Sequence, residues 1–155
     1  MPKLVQGGKY VYGWSVVSPS GEINIPPEAG SEYGIEGEQD LVLIQGSETS
    51  GGFGISRLPV LKESAMGVIL ERYSELEKAP SGQPVMVEGR SKIYARSHLG
   101  ADNRLRLTDE MQKAFGIKAG DRLLVIRGSD IALSFAAVGP ILKEAEKHIE
   151  LPVFE

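Results

Sequence analysis

The chain contains no cysteine. That excludes disulfides, thiolate zinc sites and a cysteine nucleophile, and it suits a reducing cytoplasm, the location expected here. No apolar run approaches the length of a membrane span. Met1–Lys9 has no apolar core of the kind a secretory leader carries, so no signal peptide is expected. Histidine is limited to His98 and His148, 50 residues apart and without a ligand pattern, so neither a metal nor a cofactor is expected. No nucleophile, base and orienter assemble into a set, so an enzyme is not expected either. The most informative absence is local. From Tyr10 to Ser56 there is no lysine or arginine, yet there are seven acids: Glu22, Glu28, Glu32, Glu36, Glu38, Asp40 and Glu48.

What is present is a duplication. Phe115-Gly116-Ile117 through Arg122-Leu123-Leu124-Val125-Ile126-Arg127-Gly128-Ser129 repeats Tyr33-Gly34-Ile35 through Asp40-Leu41-Val42-Leu43-Ile44-Gln45-Gly46-Ser47 at an offset of 82 residues. Without a gap, the register runs from Tyr12 over Tyr94 to Phe53 over Phe135, with ten identities in a window of 42. Unrelated segments match at roughly one position in twenty, so this is an internal repeat, and it governs the fold.

Each copy reads the same way. Tyr10–Val17 and Lys92–His98 are strands by their aromatic and β-branched content. A turn and a short half-buried strand follow, Glu22–Ile25 in one copy and Arg104–Leu107 in the other. Pro27 opens a short helix to Tyr33, closed by Gly34. Thr108 is the expected N-cap of its counterpart, Asp109–Phe115. Asp40–Gln45 and Asp121–Arg127 are apolar on both faces and belong in a sheet interior. Ser50–Ser56 and Ile131–Ala137 close each copy's strands. Ser50-Gly51-Gly52-Phe53-Gly54 lacks the Lys-Ser/Thr of a phosphate loop and reads as a strand at a tight corner. Long amphipathic helices are expected over Leu58–Lys78 and Gly139–Glu150, with Val138, Ile141, Leu142, Ala145, His148 and Ile149 making the stripe of the second.

The fold expected is therefore mainly β with helices (α+β), a closed barrel built from two internal repeats, each followed by an α-helix. Residues 10–150 form a single domain: repeat one 10–79, linker 80–90, repeat two 91–150. Residues 1–9 and 151–155 read as tails.

The unit turn-Gly-x-Ile-x-Ile-Pro, short helix, Gly-Ile-x-x-Gly-Asp, apolar strand resembles the AbrB/SpoVT swapped-hairpin (MazE-like) superfamily. Asn103 to Glu110 with Phe115 to Leu123 matches it most closely, and Ser20-Gly21-Glu22-Ile23-Asn24-Ile25-Pro26 is the first-half counterpart. The resemblance implies a swapped-hairpin barrel, here a covalently linked pseudo-dimer, and DNA as the partner of a transcriptional regulator. It places DNA contacts on the first hairpin and following helix of the basic repeat: Lys92, Arg96, Arg104, Arg106 and Lys113.

The two repeats differ in charge. Lys92 to Val138 carries eight bases against five acids. Trp14, Glu22 and Asn24 stand where the second repeat has Arg96, Arg104 and Arg106. An acidic half repels phosphate, so any DNA contact is one-sided. The alternative is a protein-interaction or antitoxin-like adaptor, held through the acidic repeat or the long helices. In that case opposite charges serve to steer the halves onto each other. Self-association into a dimer of pseudo-dimers stays open.

Overall fold

The computed structural model describes residues 10–47, 51–57, 82, 84–87, 92–127 and 132–155. The expected helix Leu58–Lys78 and the tail 1–9 lie outside them. The elements in chain order are β1 (Val11–Val16), β2 (Glu22–Asn24), α1 (Pro27–Tyr33), β3 (Gln39–Gln45), β4 (Phe53–Arg57) and β5 (Val85–Val87). They continue with β6 (Lys92–Leu99), β7 (Arg104–Arg106), α2 (Asp109–Phe115), β8 (Arg122–Arg127), β9 (Leu133–Ala136), α3 (Pro140–Glu146) and β10 (Val153–Phe154).

Nine strands form one nearly closed, barrel-like sheet in the order β10-β1-β8-β9-β4-β3-β6-β7-β2, and β5 pairs β6 off that path. β10 runs parallel to β1, and every other described pairing is antiparallel. The protein is thus mainly β with helices, as the alternating patterns require.

The pairing carries the 82-residue offset of the sequence. β1 of the first half pairs β8 of the second through Trp14↔Leu124, Ser15↔Leu123 and Val16↔Arg122. Adding and subtracting 82 turns these into Arg96↔Val42, Ser97↔Leu41 and His98↔Asp40, which are the β3–β6 pairs. Ile23↔Leu105 and Phe53↔Phe135 map onto themselves. The repeated serines are structural. Ser15 Oγ donates to the Asn24 carbonyl at 2.9 Å, and Ser97 Oγ donates to the Arg106 carbonyl at 2.7 Å.

The short helices follow their local signals. Thr108 caps α2 by accepting from Met111 N at 3.2 Å. Gly34 and Gly116 end α1 and α2 in the left-handed region, at φ 68° and 70°. A Cβ on Gly116 would meet nothing within 4 Å, so only backbone strain opposes a side chain there. Gly116→Ala should therefore lower the unfolding free energy by about 1–2 kcal/mol. Chemical denaturation checks this, and an unchanged midpoint would contradict the left-handed assignment.

β8 has the two apolar faces its sequence demands. Leu123 and Val125 enter the main core, while Leu124 and Ile126 enter a second cluster with Val11, Trp14, Ala136, Ala145 and Leu151. α3 covers that second face through Ala145, Ile141 and Leu142.

Three expectations are corrected. The closing helix spans only Pro140–Glu146, and Ile149, placed on its buried stripe by spacing, is 96% exposed. The chain leaves the helix early because Leu151, not Ile149, fills the second cluster. Residues 151–155 are consequently no loose tail, since β10 is hydrogen-bonded into the sheet. The linker 80–90 also contributes to the sheet: β5 pairs the start of β6, and Gly82 N donates to the Arg96 carbonyl at 2.6 Å.

Candidate nucleic-acid interface

β2 and β7 form a two-stranded ribbon with Glu22 opposite Arg106, Ile23 opposite Leu105 and Asn24 opposite Arg104. Ile23 and Leu105 point inward and are fully buried. Strand alternation therefore puts Glu22, Asn24, Arg104 and Arg106 together on the outer face. The turn before β7 is held by Asn103, the one non-glycine residue with positive φ among those described. Its Oδ1 accepts from Gly37 N at 3.1 Å, tying the turn to the first half.

Arg106 is exposed on this ribbon, and Lys113 is exposed in the last turn of α2. Arg104 is half-buried, and its Nη2 donates to the main-chain oxygen of Glu155 at 3.0 Å. None of these three forms an ion pair with a carboxylate among the described residues. Arg96 lies on β6 opposite Val42 and is half-buried. Ala95 and Leu99 face the core, so alternation turns Arg96 away from it, and its Nε is buried rather than displayed beside Arg104 and Arg106. Lys92 opens β6 in register with Val87. The structure thus brings Arg104 and Arg106 together on one face, with Lys113 on the helix that follows after only Leu107 and Thr108.

Other charges are taken up within the barrel. Arg127 of β8 pairs with Glu32 of α1, and Glu32 also accepts from the Tyr12 hydroxyl. His98 bridges Asp40 at 3.0 Å and Glu38 at 3.2 Å. Its pKa is raised, first by the hydrogen bond to Asp40 and then by that to Glu38. Arg122 stacks over Trp14 with its guanidinium carbon 4.5 Å from the ring centroid, a cation–π contact. Trp14 is therefore packed, at 4% exposure, and is not displayed for stacking on a base.

Sequence reasoning missed one contact on the ribbon. Asn24 Nδ2 donates to the same Glu155 oxygen as Arg104. That acceptor is a main-chain atom 131 residues from Asn24, and no side-chain pattern announces it.

Glycine also shapes the far end of the barrel. A Cβ on Gly52 would stand 2.0 Å from the Phe135 carbonyl oxygen, so the Gly51-Gly52 pair permits a close backbone approach. A cleft of about 430 Å³ opens there, with Phe53, Phe135, Ile126 and Ile141 among its walls. Among the described residues, no group of His, Asp and Glu is placed to hold a metal ion. No described helix is long and apolar enough to cross a membrane. No protein-family model and no curated protein matches the chain.

Proposed function

We propose that the chain is an AbrB-like DNA-binding regulator, a swapped-hairpin pseudo-dimer that approaches the duplex with one side only. The observation that carries the reading is the unequal use of bases. Arg127 and His98 are spent on contacts between the halves, whereas Arg106 on the ribbon and Lys113 on the following helix hold no carboxylate among the described residues. Bases left in this state are suited to phosphate oxygens, and the counterions they release from DNA drive binding. The exchange-related registers of β1–β8 and β3–β6 support the swapped-hairpin part. Glu22, facing Arg106 across the ladder, makes the contact asymmetric.

Fluorescence anisotropy with a labelled mixed-sequence duplex tests this at several salt concentrations. Arg106→Ala and Lys113→Ala should each weaken binding and flatten the log–log salt dependence by roughly 0.9. An absence of binding at low salt in the unaltered chain would sink the DNA reading.

A second reading, the protein adaptor, is favoured by one observation. Glu28, Glu36 and Glu38 of the first half are exposed, and Glu22 sits where a symmetric DNA ribbon would need a base. A basic partner on that side would compete with salt but not with duplex.

A further inference from the structure

The segment after α3 reaches the ribbon that carries Arg104. Leu151 anchors it in the second cluster. Val153 and Phe154 then run parallel to β1, opposite Trp14 and Ser15. Beyond them, the main-chain oxygen of Glu155 accepts from Arg104 Nη2 at 3.0 Å and from Asn24 Nδ2. Asn24 and Arg104 are direct cross-strand partners, so their donors converge from two strands onto one oxygen. A guanidinium and an amide aimed at a single point form a donor set that suits a phosphate or carboxylate oxygen equally well.

β1 is shaped to receive this segment. Trp14 N donates to the Pro152 carbonyl at 2.9 Å. Gly13 stands at φ +140°, and a Cβ there would lie 2.5 Å from the Pro152 oxygen and 3.1 Å from the Phe154 ring. The residue at the equivalent place in the second half is Ala95. The accommodation therefore belongs to this side of the barrel alone. The hold is also slight: β10 has two residues, and Val153 is 47% exposed.

We infer that Asn24 and Arg104 form an oxyanion site suited to a nucleic-acid phosphate, and that residues 152–155 are an intramolecular strap that occupies it. The identity of the competing ligand rests on the DNA reading; the site and the strap do not. While the strap is seated, Arg104 is withheld and only Arg106 and Lys113 face the duplex. An occupant of this kind lowers apparent affinity by the fraction of time it is bound. Displacement of the Glu155 oxygen by a phosphate oxygen adds Arg104 to the contact.

The test uses the full chain and a Val153→Gly/Phe154→Gly variant, which loosens β10 while keeping Leu151, Asn24 and Arg104. Inorganic phosphate is titrated into each and followed by the Asn24 side-chain amide resonances. Freed of one competing hydrogen-bonded occupant, the variant should reach half-saturation at about three- to tenfold lower phosphate. Arg104→Ala in the same background should abolish that gain. Equal midpoints would overturn the strap, and no saturation in either protein would overturn the site. The labelled duplex is titrated in parallel. A phosphate shift without any duplex binding refutes the DNA reading and keeps the strap. Equal duplex binding with equal phosphate midpoints refutes the strap and keeps the DNA reading. Phe154→Ala, a milder release, repeats the comparison if the double variant fails to fold.

Discussion

Phe135→Ala should destabilise the fold by about 3–5 kcal/mol, the range for truncating a buried phenylalanine. Phe135 is fully buried, and Phe53 is 1% exposed. Their rings stack with centroids 5.1 Å apart and planes 14° from parallel. Phe115 closes the group, its ring centroid 5.5 Å from that of Phe53. The pair also joins the two halves, because β4 and β9 meet at Phe53↔Phe135. Truncation therefore removes a stacking partner and opens a cavity at the seam between the repeats. For a chain of this size each kcal/mol lowers the melting temperature by roughly 2–4 °C, so a fall on the order of 10 °C is expected. Thermal unfolding followed by circular dichroism reads it directly. Phe135→Leu keeps most of the volume and should lose far less. A Phe135→Ala loss below about 1 kcal/mol would remove this pair from the core and with it the seam.

The same residues show what was legible in the sequence. The offset that sets Phe53 over Phe135 also predicts which strands correspond, because pairing between like halves must respect their exchange. Gly34 and Gly116 were readable because a left-handed helix end is a local requirement that glycine meets at least cost. β8 was readable because burial on both faces leaves no polar position between Leu123 and Ile126. What escaped depends on contacts without a local signature. β10 is two residues long and pairs in parallel with a strand at the other end of the chain. Helical spacing placed Ile149 inside, but the second cluster had room for Leu151 instead. The basic residues were found by charge. Their partners were not, since whether an arginine meets a carboxylate, an indole ring or a main-chain oxygen is decided by tertiary packing. Arg127, Arg122 and Arg104 illustrate the three outcomes.

The Tyr12–Glu32–Arg127 group was invisible for that reason, and it underlies the second large effect. Tyr12→Phe should lower stability by about 1.5–3 kcal/mol, the worth of a hydrogen bond to a charged group. Tyr12 is 1% exposed, so in the unaltered chain its hydroxyl depends on the Glu32 carboxylate. Burial first, then the bond to Glu32, push the Tyr12 pKa from 10.0 up to about 12. The hydrogen bonds from Tyr12 and then from Arg127 hold the Glu32 carboxyl below its ordinary value of 4.5. The two shifts have opposite consequences for pH. Glu32 is depressed in the fold, so its contribution is present above pH 4.5 and is lost as pH falls through the lower folded value. Tyr12 is raised, so its contribution is present below pH 10.0 and is lost as pH climbs towards about 12. The difference between wild type and Tyr12→Phe should therefore be flat through neutrality and shrink at both ends. Ala114 and Gln45 stand at the places of Glu32 and Arg127 in the exchanged half, so this acid limb belongs to one side of the barrel. Urea denaturation of both proteins across pH measures it. A Tyr12→Phe difference that stays constant down to about pH 3 would show that the ionised carboxylate contributes nothing to the Tyr12 bond.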